Sequence, residues 1–158
     1  MDEAIAVVTF LQKTGKTLAT AESCTGGLLG TLLTDVPGSS AVYPGGVISY
    51  CNEVKHAVLV VDAELLEREG AVCAPVASQM AKSVRNLMNA DYGISTTGVA
   101  GPGSDDRGNP EGLVYAAIAD DDGTKVLRLQ LSGTREEIRE GAAKALFSAL
   151  LRVMEVRP

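Results

Sequence analysis

The apolar positions of the first sixty residues change their spacing from one segment to the next. Residues 2–14 repeat apolar positions at helical spacing and stop before a glycine, which predicts an amphipathic helix. Residues 17–21 form a short apolar run typical of a buried strand, and residues 28–34 return to helical spacing before the turn DVPGSS. The run GGVISY predicts a second strand, after which a helical pattern extends from Asn52 to Leu59. The stripe that we expect to face the core in the first helix comprises Ile5, Val8 and Leu11.

The second part of the chain continues this alternation. A short helix is predicted from Asp62, a typical N-cap residue, to the residue before Gly70, and a longer one begins at Pro75. YGISTTGVA is a predicted strand that runs into a polar, glycine-rich loop, and LVYAAIA and KVLRLQL flank DDDG as a β-hairpin. Thr134 and Glu137 form a capping-box pattern that opens the last helix. The predicted buried stripe of the longer helix is Val76, Met80, Val84 and Leu87.

Helices that alternate with buried strands, together with one hairpin, predict a three-layer α/β/α sandwich with a mixed sheet. The chain has 158 residues, of which 46% are hydrophobic, so it can bury one substantial core. We find no internal repeat and no linker composition. The sequence therefore predicts a single domain over residues 1–158.

Charge and cysteine content narrow the class of function. The net charge of −6 and the absence of tryptophan argue against a nucleic-acid partner. Cys24, Cys51 and Cys73 form no CxxC pair and accompany a single histidine, which indicates neither a zinc site nor a disulfide framework. We find no targeting signal and no apolar run long enough to cross a membrane. These features predict a cytoplasmic protein without a membrane partner.

Three candidate nucleophiles, Ser23, Cys24 and Thr25, lie where a predicted strand enters a predicted helix. Backbone amides and the positive end of the helix dipole at such a position suit a developing oxyanion or a phosphate. Gly26 and Gly27 allow a ligand to approach the backbone closely. The alternative is that a serine or threonine here only caps the helix.

A serine nucleophile needs a base, and Lys55 is the candidate that the pattern offers. His56 is the only histidine and directly follows Lys55 on the predicted helix, so the two side chains point in different directions. A lysine can accept a proton near neutral pH only if it is buried without a carboxylate partner. Tyr50 and Asn52 lie at the turn before this helix and could join the site. The alternative is an ordinary surface lysine.

Two further segments could contact a ligand. GVAGPGS has the glycine spacing of a phosphate-binding loop but lacks its lysine, so Thr97 and Gly98 are left as possible hydrogen-bonding positions at a strand end. Arg135 and Arg139 lie one turn apart at the start of the last helix, where cations oppose the helix dipole. A bound phosphate would explain them, and a solvated face neutralised by neighbouring glutamates would explain them equally.

Seven motifs in order resemble the CinA C-terminal domain, the nicotinamide-nucleotide amidase family. They are TAESCTGG, PGSS, GGVISYCNEVK, GAV, TTGVAGPG, the Pro-x-Gly of NPEGLVY, and SGTREEIR. The match runs from about residue 5 to residue 150 and lacks the large N-terminal domain of longer CinA proteins. Each motif is weak alone, and their order makes the resemblance specific.

The resemblance implies an amidohydrolase that converts nicotinamide mononucleotide to nicotinate mononucleotide and ammonia without a metal or redox cofactor. Ser23 would be the nucleophile, Lys55 its general base and Tyr50 a helper. Family members often associate, so the resemblance also implies a homo-oligomer. Together with the local patterns, it gives the following predicted substrate-binding residues: Cys24, Thr25, Gly26, Gly27, Gly46, Asn52, Thr97, Gly98, Arg135 and Arg139.

Two alternatives stay open at this point. The family commonly has a Lys-Pro-Val-Gly run where this chain has NPEG, so Asn109 and Glu111 remove a cation and add an acid beside the predicted pocket. This difference leaves open a nucleotide-binding module that keeps the fold without turnover. The second alternative makes Cys24 the nucleophile.

Overall fold

The computed structural model describes residues 1–156, which form six α-helices, five strands and one short 3-10 helix. The helices are α1 Asp2–Thr14, α2 Leu28–Thr34, α3 Asn52–Ala57, α4 Ala63–Glu69, α5 Ala74–Leu87 and α6 Arg135–Val156. The strands are β1 Leu18–Glu22, β2 Gly45–Ile48, β3 Tyr92–Gly98, β4 Leu113–Asp120 and β5 Gly123–Gln130. The 3-10 helix is Ser39–Ala41.

The five strands form one mixed sheet in the order β2-β1-β3-β4-β5. β1 pairs in parallel with both β2 and β3, whereas β3–β4 and β4–β5 are antiparallel. Glu22, the last residue of β1, is in register with Ile48 of β2 and Thr96 of β3. The carboxyl ends of the three parallel strands therefore meet at one edge of the sheet, where α/β proteins commonly place their sites.

Helices cover both faces of the sheet. On one face, α1, α2 and α6 pack around a core that includes Leu11, Leu29, Ile94 and Phe147. On the other face, α4 and α5 pack against β1 through a second cluster that includes Met80. The predicted three-layer α/β/α sandwich with a mixed sheet is confirmed.

Local sequence signals placed several element boundaries correctly. The β4–β5 hairpin is formed as predicted, with Asp120 opposite Gly123. The capping box of α6 is formed in both directions, because the Glu137 amide donates to Thr134 Oγ1 at 3.2 Å and the Thr134 amide donates to Glu137 Oε2 at 2.7 Å. Asp62 accepts from the amides of Glu64 and Leu65 and caps α4.

Two predicted core positions are wrong. Ile5 is 50% exposed and Leu87 is 54% exposed. The buried face of α1 is instead formed by Ala4, Val7, Val8 and Leu11. These four residues follow the i, i+3, i+4, i+7 spacing of one helix face, and Ile5 lies outside that face. Across residues 1–156, no helix combines the length and the apolar character that a membrane crossing requires.

Candidate active site

Ser23 and Lys55 meet at the carboxyl edge of the parallel strands. Ser23 directly follows β1, and its amide donates to the carbonyl of Thr96 on β3 at 3.0 Å. Lys55 lies on α3, the short helix that follows β2, and its Nζ is 2.8 Å from Ser23 Oγ. The same Nζ donates to the carbonyl oxygen of Ser49 at 2.6 Å. The side chain of Lys55 is therefore held at the hydroxyl of Ser23 from two sides.

Lys55 is buried and has no ion-pair partner among residues 1–156. Only 1% of the residue is exposed, although lysine is rarely buried in proteins without a paired charge. The three ion pairs in this part of the chain involve other residues. Burial lowers the pKa of Lys55, because removal of water disfavours the ammonium form. His56 does not contribute here, since its Nδ1 lies 2.8 Å from the carbonyl of Val61.

The two side chains open into a cavity of about 310 Å³. Its walls come from the turn after β1, the start of α3, the segment before α5, the end of β3 with the following loop, and the start of α6. The residues that line it are Ser23, Cys24, Tyr50, Asn52, Lys55, Ala71, Val72, Thr97, Gly98, Val99, Ala100, Gly101, Pro102, Gly103, Ser104, Asp105 and Arg135.

Tyr50 and Arg135 form one rim of this cavity. The Arg135 guanidinium donates to the Tyr50 hydroxyl oxygen at 2.7 Å and to the carbonyl of Gly101 at 2.5 Å. Tyr50 is 61% exposed, so the rim is open to solvent. Arg135 thus carries a positive charge at the mouth of the cavity and joins the start of α6 to two other walls.

Comparison with known proteins identifies the family of this chain. The sequence profile of the CinA C-terminal domain matches residues 2–154. A putative competence-damage inducible protein of Caldanaerobacter subterraneus subsp. tengcongensis is 48% identical over 151 residues. The chain belongs to the CinA C-terminal domain family. That alignment covers 96% of this chain and 37% of the relative. A CinA-like protein of Parasynechococcus marenigrum is 53% identical over 117 residues, which cover 74% of this chain and 28% of that relative.

This CinA domain spans about a third of the length of these relatives but nearly all of the solved structures that it resembles. The competence damage-inducible protein A from Klebsiella pneumoniae superposes with a TM-score of 0.96 at 31% identity, covering 99% of this chain and 98% of that one. A competence/damage inducible protein from Agrobacterium tumefaciens gives a TM-score of 0.91 at 34% identity, covering 96% and 93%.

Eight of the predicted site residues line the cavity of this CinA domain, and five do not. The eight are Ser23, Cys24, Tyr50, Asn52, Lys55, Thr97, Gly98 and Arg135. The five are Thr25, Gly26, Gly27, Gly46 and Arg139. The hydroxyl of Thr97 donates to the carbonyl of Ala71 at 2.8 Å, so it also joins two walls of the cavity.

The turn after Ser23 contributes fewer free amides than predicted. The Gly26 amide donates to the carbonyl of Ser23 at 3.0 Å, and the Gly27 amide donates to a carboxylate oxygen of Glu22 at 3.2 Å. Within residues 1–156, the amides of Cys24 and Thr25 donate to no carbonyl, carboxylate or hydroxyl oxygen. Because Thr25 does not line the cavity, the prediction of an oxyanion site over the whole turn is reduced to the amide of Cys24.

Thr25 and Arg139 support the turn from outside the cavity. The hydroxyl of Thr25 is within 2.7 Å of both Glu22 Oε1 and Thr96 Oγ1, and the residue is fully buried. The Arg139 guanidinium donates to the carbonyls of Cys24 at 3.2 Å and Thr25 at 2.7 Å. Both of these Arg139 donors therefore act on the backbone of the turn.

Gly46 belongs to the sheet instead of the substrate pocket. A Cβ at this position of β2 would lie 2.5 Å from the carbonyl oxygen of Thr20 and 3.0 Å from the Tyr43 hydroxyl. The residue is thus a glycine because β1 and Tyr43 approach it closely.

We expect Gly46→Ala to lower the free energy of unfolding by about 1–3 kcal/mol, because the added methyl group overpacks the contact with Thr20. The matched control is Gly141→Ala within α6, where the new Cβ would make an ordinary 3.4 Å contact with Leu131. Alanine has the higher helix propensity, so the control should gain up to about 1 kcal/mol. Urea unfolding of both variants checks this, and equal stability of the two would contradict the assignment.

The Cys24 thiol is a poor nucleophile in this structure. Burial raises its pKa to about 11, so the thiolate is scarce at neutral pH. Burial favours the neutral form of both the Cys24 thiol and the Lys55 amine, but with opposite chemical consequences. A neutral thiol is inactive as a nucleophile, whereas a neutral amine is an active base.

Three residues near the site were not predicted from the sequence. Ser49 presents its carbonyl oxygen to Lys55, and Glu22 holds the turn after Ser23. Asp105 lines the cavity on the loop after β3. Burial raises the pKa of Asp105, but hydrogen bonds from Asn109 and Arg107 outweigh this effect and hold the pKa below its ordinary value. Of these three residues, only Glu22 could have been identified from the sequence, because it is an acidic residue at the end of an apolar strand.

The NPEG segment lies beside the cavity without lining it. The Asn109 side chain donates to Asp105 at 2.8 Å, and the Glu111 carboxylate accepts from the amide of Gly103 at 2.6 Å. Both residues thus brace the loop that forms one wall.

Within residues 1–156, no group of three or more His, Cys, Asp or Glu side chains is arranged to hold a metal ion.

Proposed function

We propose that this protein is an amidohydrolase that converts nicotinamide mononucleotide to nicotinate mononucleotide and ammonia. The observation that carries the proposal is the buried Lys55, whose Nζ lies 2.8 Å from Ser23 Oγ and has no carboxylate partner within residues 1–156. Such a lysine has the burial and the contact that a general base for a serine nucleophile requires. Membership of the CinA C-terminal domain family supports the choice of substrate.

In the first half of the reaction, Ser23 Oγ attacks the carboxamide carbon and its proton passes to the neutral Nζ of Lys55. The Ser49 carbonyl accepts one N–H of Lys55, which leaves the nitrogen lone pair free to face Ser23. The amide of Cys24, which lines the cavity, is the donor available for the oxyanion. As the tetrahedral intermediate collapses, the carbon–nitrogen bond breaks, and Lys55 passes its proton, directly or through the Tyr50 hydroxyl, to the nitrogen, which leaves as ammonia.

In the second half, water hydrolyses the ester formed on Ser23. Lys55 accepts a proton from the attacking water, and the oxyanion forms again at the same amide. Collapse of this intermediate breaks the bond to Ser23 Oγ, which recovers its proton from Lys55. The carboxylic acid product loses its proton to the released ammonia, so the carboxylate, an ammonium ion and the free enzyme remain, and atoms and charges balance over the cycle.

Arg135 is the proposed contact for the 5′-phosphate, because its charged guanidinium lies at the rim of the cavity. Asp105 adds a negative charge to the same cavity and would oppose a phosphate nearby. The phosphate is therefore expected on the Arg135 side. Arg139, whose guanidinium donates to the carbonyls of the turn, is not proposed as a phosphate ligand.

The deciding experiment measures ammonia release from nicotinamide mononucleotide by the wild type, Ser23→Ala and Cys24→Ala. We expect Ser23→Ala to lose all measurable turnover, because Ser23 is the only side chain within residues 1–156 that is hydrogen-bonded to Lys55 Nζ. Cys24→Ala should stay within about tenfold of the wild type, since a protonated thiol contributes little. Selective loss in Cys24→Ala would instead make the thiol the nucleophile.

A nucleotide-binding module without turnover is the second candidate. It stays open because the NPEG segment, which differs from the Lys-Pro-Val-Gly run common in the family, braces one wall of the cavity through Asn109 and Glu111. Equilibrium binding of the mononucleotide to the wild type, measured beside ammonia release, distinguishes the two functions. Binding without ammonia release would support the module and contradict the amidase for this substrate.

A further inference from the structure

Glu22 is a buried carboxylate for which the proposed reaction has no direct use. It is the last residue of β1, precedes Ser23 and is only 2% exposed. It takes part in none of the ion pairs found within residues 1–156. A carboxylate removed from water needs compensating hydrogen bonds, so the partners of Glu22 indicate what it does.

Four donors surround the Glu22 carboxylate. Oε1 accepts from the hydroxyl of Thr25 at 2.7 Å, from the Gly27 amide at 3.2 Å and from the Leu29 amide at 2.9 Å. Oε2 accepts from the Gly30 amide at 3.1 Å. These amides belong to the first turn of α2, whose N–H groups have no partner within the helix. The Glu22 carboxylate therefore occupies the amino end of α2, where an anionic ligand could otherwise bind.

The backbone of Glu22 is tied to the base as well. Its carbonyl oxygen accepts from the Ser49 amide at 2.7 Å and from the Ser49 hydroxyl at 3.3 Å. The carbonyl of Ser49 in turn accepts from Lys55 Nζ, which contacts Ser23 Oγ. Glu22, Ser49, Lys55 and Ser23 thus form a closed ring in which Glu22 connects the nucleophile to the loop before its base.

Thr25 extends this arrangement to the neighbouring strand. Its hydroxyl lies 2.7 Å from Glu22 Oε1 and 2.7 Å from Thr96 Oγ1. The carbonyl of Thr96 accepts from the amide of Ser23. The next residue, Thr97, lines the cavity. The turn from Ser23 to Gly27 is consequently held at its first residue by Thr96 and at its last by the Glu22 carboxylate, and the Thr25 hydroxyl connects the two.

We propose that Glu22 is a positioning residue, which fixes the turn from Ser23 to Gly27 so that Ser23 Oγ stays at Lys55 and the Cys24 amide stays available to the oxyanion. This inference rests on the proposed function. It also implies that a substrate phosphate cannot use the amino end of α2, because Glu22 already accepts from its amides. Substrate binding and the geometry of the nucleophile then depend on different residues.

A matched set of variants tests the proposal. Glu22→Gln keeps the size of the side chain but places an NH₂ group opposite an amide donor of α2. Thr25→Val removes the hydroxyl that donates to Glu22, and Thr25→Ser retains a hydroxyl at this position. Thr34→Val is the control, because the Thr34 hydroxyl donates to the Gly30 carbonyl on the exposed face of the same helix. Thermal unfolding and circular dichroism establish which variants are folded.

Two readouts separate this proposal from the choice of substrate. The first is kcat and KM for ammonia release from nicotinamide mononucleotide. The second is the rate at which a small alkyl fluorophosphonate modifies Ser23, in which the serine oxygen bonds to phosphorus, fluoride leaves and the proton passes to the base. The fluorophosphonate reports the reactivity of Ser23 even if the mononucleotide is not a substrate.

We expect Glu22→Gln and Thr25→Val to lower kcat and the labelling rate about 10- to 100-fold with KM changed less than about threefold. Thr25→Ser should recover most of the loss, and Thr34→Val should match the wild type. A folded Glu22→Gln that labels at the wild-type rate would overturn the proposal. If Glu22→Gln does not fold, equal labelling of Thr25→Val and Thr25→Ser would overturn it.

Wild-type labelling without ammonia release would contradict the proposed substrate and leave the test of Glu22 intact. In that case the labelling rates of the same variants decide the role of Glu22. A wild-type protein that neither labels nor releases ammonia would overturn both proposals, because Ser23 would then not be an activated nucleophile.

Discussion

Lys55→Met should lower kcat for ammonia release by about 10²–10⁴-fold while the protein stays folded. Methionine fills a similar volume without a basic nitrogen, so Ser23 loses the group that accepts its proton. The control is Lys82→Met on the exposed face of α5, which makes the same substitution at a solvated position. Steady-state kinetics of both variants checks the prediction, and a wild-type kcat in Lys55→Met would exclude Lys55 as the base.

The pH dependence of the wild type provides an independent signature of Lys55. Because the neutral amine is the active form, kcat/KM should rise with pH until Lys55 has lost its proton. Burial lowers the pKa of Lys55, so the rise should end below the range in which an ordinary lysine titrates. The residual activity of Lys55→Met should lack this rise. A profile that levels off only near pH 10 would contradict the role of burial.

The contribution of Lys55 to the stability of the fold should also rise with pH. Between the lowered pKa of folded Lys55 and the ordinary pKa of the unfolded lysine, the unfolded chain binds one proton more than the folded chain. The contribution of Lys55 to the free energy of unfolding therefore rises with pH across this window and is least favourable below it. Relative to the wild type, Lys55→Met should be most stable at low pH and should lose that advantage as pH increases.

Arg135→Ala should raise KM for nicotinamide mononucleotide by about 10- to 100-fold. Hydrogen bonds to a charged group contribute about 1.5–3 kcal/mol, and tenfold in affinity corresponds to about 1.4 kcal/mol. Kinetics with nicotinamide riboside, which has no phosphate, provide the comparison. The change in KM should be much smaller for the riboside if Arg135 binds the phosphate.

Arg139→Ala is the matched variant one helical turn away. Its guanidinium donates to the carbonyls of Cys24 and Thr25, so its loss should disturb the turn and lower kcat for both substrates to a similar extent. Equal effects of Arg135→Ala on the mononucleotide and the riboside would contradict the phosphate contact. A phosphate-specific increase in KM for Arg139→Ala would restore the initial prediction that Arg139 binds substrate.

The elements that the sequence predicted correctly depend on interactions between near neighbours. The capping box of Thr134 and Glu137 and the N-cap of Asp62 join residues two or three positions apart. The β4–β5 hairpin likewise closes over a short turn. Ile5 and Leu87 were assigned to the core incorrectly, because helical spacing shows that a stripe exists but not how the helix is rotated against its neighbours.

The motif order determined the family, and the residue types narrowed the nucleophile to Ser23, Cys24 or Thr25. The tertiary structure brings Ser23 to Lys55 Nζ across 32 positions of the chain, which supports the proposal that Ser23 is the nucleophile, as the resemblance implies. It also moved Gly46 into the sheet and assigned the amino end of α2 to Glu22. The physical reason is that the pKa of Lys55 and the free donors of the turn depend on burial and on contacts between distant segments. Spacing along the chain encodes periodicity and local caps, whereas those contacts exist only after the strands have been aligned.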